Sequence, residues 1–314
     1  MLTVLIILIV LFGALTHFRA NSQEALARQH YPPEGRYLTV EGKQVHVVVK
    51  GSSGPTVVLI HGLSGSARDY TQALAERLAL RYRVLVFDRP GLGYSDDLGP
   101  DDDSIVDQAR ILKKATAQLG AEAPIVLGQS YGGAVALAWA VRFPTRISAL
   151  VLVSSPSQVW DGGLPPLYLI NSIPLLAKIV TPLLSAYVSE ARVERELDTI
   201  FSPQKPPLGY GTHIGAGLTL RRQTMQVNAR HRANLKEELY ALVPMYPSLD
   251  LPTEIVHGDE DETVSVDIHS IPLARQIPRA NLKILEGIGH MPHHVAKDEV
   301  IGAVNRAAKR TGLR

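Results

Sequence analysis

Residues 2–18 form a nearly unbroken apolar run that stops at Arg19. At about 17 residues it meets the lower limit for a helix that crosses a bilayer. Residues 20–34 turn polar and close on Pro32-Pro33, the pattern of a linker. Beyond them the apolar positions regroup into short runs. Residues 37–40 and 44–49, parted by Glu41-Gly42-Lys43, predict a hairpin. Further runs at 57–60, 84–87, 125–127, 149–153, 254–256 and 282–285 predict strands, with helical periodicity near 69–80 and 104–119. Strands that are apolar throughout and alternate with helices predict an α/β fold: a mostly parallel sheet of about eight strands with helices on both faces.

The alternation breaks at Ser154. Between about 156 and 249 no core strand is evident; short apolar stretches are divided by Pro165-Pro166, Pro174, Pro182, Pro203 and Pro206-Pro207, and a longer helical pattern spans 217–243. An insertion of this length is too long for a structureless loop inside a domain, so it reads as a helical cap. The expected organisation is an N-terminal membrane anchor (1–20), a linker (21–34), a core built from 35–155 and 250–314, and the cap (156–249).

Composition narrows the function. Thirty-two basic against 30 acidic residues give a formal net charge of +2, without the concentrated basic face of a nucleic-acid binder. There is no cysteine, which removes disulfides, thiolate catalysis and cysteine-ligated zinc. The apolar N-terminus has a rival reading as a cleaved signal peptide leading to a secreted or periplasmic protein. However, no Lys or Arg precedes the run and no clear cleavage site follows it. A single-pass anchor is therefore expected, with Arg19 and Arg28 a slight vote for a cytoplasmic flank.

The chemistry centres on Gly128-Gln129-Ser130-Tyr131-Gly132, which follows the strand 125–127 and precedes an apolar helix starting near Gly133. A G-x-S-x-G at a strand–helix junction sets its serine on a sharp, exposed turn. Three more segments sit at predicted strand ends: His61-Gly62-Leu63-Ser64-Gly65-Ser66, His257-Gly258-Asp259-Glu260-Asp261, and Gly287-Ile288-Gly289-His290. The carboxyl edge of such a sheet is where distant residues converge on a ligand. His290 is the best base, and Asp259, Glu260 and Asp261 compete for the acid. His293 and His294 raise a metal reading that Pro292 and the lack of an acid at ligand spacing weaken, so no metal is expected. His61 and His257 read as bonding backbone groups at the sheet edge. Asp88 and Arg89 read as fastening the turn they open, and the cluster Arg221, Arg222, Arg230, His231, Arg232 as a solvated helix face.

Together with Asp88-Arg89-Pro90-Gly91-Leu92-Gly93-Tyr94-Ser95, these segments resemble the α/β-hydrolase superfamily, in its capped serine esterase and lipase-like form, over residues 35–308. The resemblance implies a triad of Ser130, Asp261 (from the pattern H-G-x-x-D) and His290. It also implies an oxyanion hole from the backbone N–H groups of Leu63 and Tyr131, and no cofactor. The expected substrate is a small, apolar acyl compound. Leu164, Leu167, Tyr168 and Leu175, in the apolar first part of the cap, are expected to line its pocket over Ser130. Relatives with the same triad that hydrolyse carbon–carbon bonds, form peracids or transfer acyl groups stay open, as does a non-catalytic binding protein on the same fold. The sequence leaves the oligomeric state open.

Overall fold

A computed structural model describes residues 1–313, leaving Arg314 outside the description. Helix α1 (Leu2–His30) leads into the hairpin β1 (Arg36–Val40) and β2 (Lys43–Lys50), then β3 (Thr56–Ile60), α2 (Arg68–Thr71), α3 (Leu74–Ala79) and β4 (Arg83–Phe87). After these come α4 (Ile105–Gln118), β5 (Ile125–Gln129), α5 (Tyr131–Arg142) and β6 (Ala149–Val153). The insertion holds α6 (Pro166–Ser172), α7 (Pro174–Tyr187), α8 (Glu190–Phe201), α9 (Tyr210–Ile214), α10 (Ala216–Thr219) and α11 (Arg222–Leu242). The chain closes with β7 (Thr253–Gly258), α12 (Ser270–Gln276), β8 (Ala280–Leu285), α13 (Pro292–Val295) and α14 (Lys297–Arg310).

The eight strands form one sheet in the order β1-β2-β4-β3-β5-β6-β7-β8. The pairs β1–β2 and β2–β4 are antiparallel and every later pair is parallel. Strands β5 and β6 are buried throughout, as expected where helices cover both faces. One apolar layer packs α4 and α5 on the sheet, and the other packs α3 and α14. All parallel strands end at one edge, so the loops after β3, β5, β7 and β8 meet there.

The linker expected at 21–34 is instead helical as far as His30. No Gly or Pro interrupts residues 21–30, and Glu, Ala, Leu, Arg and Gln all sustain a helix. This half of α1 is docked on the cap. Ala20 and Ala27 are buried, and Glu24 accepts hydrogen bonds from the backbone N–H and the guanidinium of Arg222 at 3.0 and 2.7 Å. Small residues allow that close approach: a side chain on Gly217 would meet Ala27.

The cap is helical, and α11 joins it to the core. Arg230 bonds Asp97 and Asp103, while Glu238 accepts from the backbone N–H of Ile105 at 3.0 Å at the start of α4. Burial pushes the Glu238 carboxyl up to about 7, against the opposing Ile105 hydrogen bond. Because its folded pKa lies above the unfolded value, the stability it contributes is complete below the unfolded pKa and lost as pH rises through about 7. Glu238→Gln keeps the acceptor without the charge. Calorimetric scans should show a higher Tm than the parent at pH 8 and no such gain at pH 4; an equal offset at both would mean that ionisation is not the cause.

Candidate active site

Ser130 stands between β5 and α5 with φ 51° and ψ −127°, a left-handed conformation that is strained for any residue with a side chain. The elbow is held by Ser130 N–H donating to Val153 O and Gly133 N–H donating to Ser130 O, at 2.9 and 2.8 Å. Glycine is required on both sides: a Cβ on Gly128 would strike Gly132 O, and one on Gly132 would strike Ile60 O. Ser130 keeps partial exposure in otherwise buried surroundings.

His290, buried in the loop after β8, has its Nδ1 2.8 Å from Asp261 Oδ2. Asp261 also accepts the Thr263 and Val264 N–H groups on Oδ1 at 2.9 and 2.8 Å. His257 Nε2 lies 3.1 Å from its Oδ2. Burial alone would raise this carboxyl, but the hydrogen bonds and charge of His257 and His290 hold it below its ordinary range. Of the three competing acids, Asp259 and Glu260 are exposed, and Asp259 accepts the Gly287 N–H at 2.7 Å in a turn. With Asp261 facing Nδ1–H, Nε2 of His290 is left as the acceptor.

Of the two residues expected to supply oxyanion donors, Tyr131 follows Ser130 directly and Leu63 follows Gly62, whose loop approaches Ser130. Tyr131 is the first residue of α5, where N–H groups have no partner within the helix. Leu63 lies in the loop after β3, and a Cβ on Gly62 in that loop would approach Ser130 Cβ to 3.2 Å. Arg89 fastens this loop from beneath. Its fully buried guanidinium donates to His61 O at 2.9 Å, Gly62 O at 3.0 Å and Gln108 Oε1 at 2.9 Å, and lies 4.4 Å from the centre of the Tyr131 ring. Burial draws the guanidinium down to about 10, still charged at neutral pH. His61 Nε2 accepts the Arg89 N–H at 2.9 Å, while burial and the Arg89 charge lower its pKa to about 4, leaving it neutral.

Several contacts had no signal in the sequence. Gln129 Nε2 donates to His290 O at 3.2 Å and lies 3.3 Å from His290 Nε2. Asn228 of α11 bonds the N–H and hydroxyl of Ser64, both at 2.9 Å, and Thr219 donates to Ser64 O at 2.7 Å, so the cap grips the residue after Leu63. His293 and His294 do have an acid beside them, contrary to expectation. Their Nε2 atoms lie 3.1 and 2.9 Å from the two oxygens of buried Asp69, which also accepts from Tyr210 OH at 2.7 Å. Asp69, 224 residues before His293, comes from α2, out of reach of any local spacing rule. The three make a buried His-His-Asp group. Among the described residues His293 Nδ1 has no partner, and the hydrogen bonds of Asp69 tie α2, α9 and α13 together.

The cap arginines are not a solvated face. Arg221 donates to Gly93 O and Leu218 O, Arg222 pairs with Glu24, and Arg232 stacks over Trp160. Nor do the expected pocket residues all turn inward. Leu164 and Tyr168 are partly buried, but Leu167 and Leu175 are 50% and 71% exposed on the outer side of the cap. The inner side of α6 and α7 carries small or polar residues instead, Asn171, Ala177, Thr181 and Ser185 among them. An apolar count along a proline-divided segment shows that something apolar is faced, not on which side it lies.

This arrangement of sheet, elbow and cap defines an α/β hydrolase. The α/β-hydrolase fold family matches residues 55–297, and the chain belongs to it. It is 30% identical over 250 residues to the polyketide synthase ThaQ of Burkholderia thailandensis, which is 77% of this chain but only 11% of the synthase. It is 29% identical over 276 residues to 2-hydroxymuconate semialdehyde hydrolase of Pseudomonas putida, covering 84% and 90% of the two chains. Among solved structures, a membrane phospholipase A described as a bacterial virulence factor shares the fold, with a TM-score of 0.63 and 22% identity over 99% of this chain and 97% of that one.

Proposed function

We propose that the protein is a membrane-anchored serine hydrolase of esters or related acyl compounds. The observation that carries this reading is the 2.8 Å contact of His290 with Asp261 at the sheet edge that also presents Ser130 on its strained elbow. In the proposed reaction Ser130 Oγ attacks the acyl carbonyl as His290 Nε2 takes its proton, and Asp261 stabilises the imidazolium. The N–H groups of Leu63 and Tyr131 hold the oxyanion, each worth about 3 kcal/mol in the transition state. The C–O bond then breaks, the leaving alcohol takes the proton from His290, and water activated by the same histidine releases the acid from the acyl-enzyme.

The P. putida relative favours one alternative, carbon–carbon bond hydrolysis at the same residues. A fluorophosphonate probe combined with p-nitrophenyl esters of increasing chain length separates the readings. Labelling at Ser130 with rapid ester turnover supports the esterase. Labelling with negligible ester turnover but cleavage of a vinylogous diketone supports the alternative, and no labelling supports a binding protein.

The anchor reading draws on α1, which is long and apolar enough to cross a membrane. Retention is favoured over signal cleavage because Thr16, Arg19 and Glu24 bond the cap, and cleavage near Gln23 would remove the first two. Full-length protein is expected to stay in the membrane pellet through alkaline carbonate and high salt, since a spanning helix is held by the hydrophobic effect. A mature N-terminus near Gln23 would establish the signal peptide instead, and release of the uncleaved chain by carbonate would overturn the spanning helix.

A further inference from the structure

We propose that the outer face of α7 lies in the lipid interface beside α1, so that the cap itself touches the bilayer. The inference rests on the reading of α1 as a retained membrane helix. Its first support is the sidedness of α7. Ala177, Thr181, Ser185 and Ala186 are buried against the protein, whereas Leu175 and Ile179 are 71% and 60% exposed. With partly buried Leu183 and exposed Tyr187 they form a stripe at four-residue spacing. A cap helix bathed in water turns its large apolar side chains the other way. The one charged residue of α7 is Lys178, whose stem can lie along an apolar surface while its ammonium reaches headgroup phosphates.

The second support identifies the occupant. The stripe ends at Tyr187, whose ring stacks on Phe12 of α1 at 6.2 Å between centroids and 3° between planes. Tyr187 OH lies 3.2 Å from Thr16 Oγ1, the Arg19 guanidinium sits 5.3 Å from the ring centre, and Arg19 Nε donates to Ala186 O at 2.8 Å. Phe12 precedes Arg19 by seven positions, about 10 Å along a helix axis. If the bilayer holds the apolar segment as far as Arg19, a ring stacked on Phe12 lies inside its boundary, and the stripe leading to that ring runs along the boundary as an interfacial helix does. The contact is coupled to the site. Gln226 of α11 bonds Thr181 at 3.2 Å, and Asn228, two residues on, holds Ser64. Two helices, α7 and α11, thus link the lipid-facing stripe to the oxyanion loop, which suits the acyl ester of a membrane amphiphile as substrate.

The absence of cysteine makes the test direct. Single-cysteine variants L8C, I179C and L80C of the full chain are labelled with an NBD fluorophore and reconstituted in phosphatidylcholine–phosphatidylglycerol vesicles carrying a doxyl-lipid quencher. Leu80 is 84% exposed next to the start of β4, at the sheet edge opposite the cap. The expected result is strong quenching at positions 8 and 179 and none at 80. Quenching at 8 with position 179 behaving like 80 overturns the inference and leaves the anchor standing. No quenching at 8 overturns both. A label at 179 that escapes lipid, with I179C cross-linking to a second copy on oxidation, overturns it in favour of self-association.

Discussion

Ser130→Ala and His290→Ala are each expected to lower kcat by roughly four to six orders of magnitude with the fold unchanged, because in the proposed reaction nucleophile and base act as a unit. Ser130 is small and partly exposed, and His290, though buried, lies in a loop after β8 where its ring meets Asp261 and Gln129 and not the apolar core. The double variant should be scarcely slower than either single one. Asp261→Ala should be severe but milder, since Ser130 and His290 remain while the imidazole loses its orientation and counter-charge. Asp259→Ala should cost little, its carboxylate serving the Gly287 turn. Steady-state rates on a p-nitrophenyl ester, with circular dichroism to verify folding, decide the matter. An Asp259 variant as slow as Ser130→Ala beside an active Asp261 variant would reverse the assignment of the acid.

The core was legible because its signals are local. Apolar runs bounded by Gly, Pro and charged residues marked the strands, and the elbow announced itself through two glycines that the structure requires for close approach. Asp261 was separable from its neighbours only through a family pattern. Geometry distinguishes them by a different criterion, since Asp261 is buried against His290 and Asp259 is not. What stayed hidden depends on tertiary packing. The helix through residues 21–30 reads as polar linker until Glu24 is seen against Arg222, and the cap arginines read as a surface until each is matched with its partner. The outward turn of Leu167 and Leu175 was unreadable for the same reason: hydropathy is blind to whether water, protein or lipid supplies the neighbour.

Arg89→Met is expected to lower kcat by roughly 10²–10³-fold with KM for a short ester nearly unchanged, the loss associated with one misplaced oxyanion donor. The argument runs through a single peptide unit. Arg89 holds Gly62 O at 3.0 Å, and the other end of that planar unit is the N–H of Leu63. Fixing the carbonyl therefore fixes the direction of the donor. Methionine fills much of the space but leaves the carbonyls of His61 and Gly62 and the amide of Gln108 without this partner, at about 1–3 kcal/mol for each buried group, offset in part because a buried charge is no longer desolvated. A lower Tm should accompany the kinetic loss. Lysine should rescue little, because one ammonium cannot reproduce the planar fork that meets three acceptors and stacks over Tyr131. The kinetic split separates the two roles of the guanidinium. If Arg89→Met lowered Tm yet kept the parent kcat well below its melting point, the residue would be a structural tie alone, and the Leu63 donor would have to be held by Asn228 and Thr219 from the cap through their grip on Ser64.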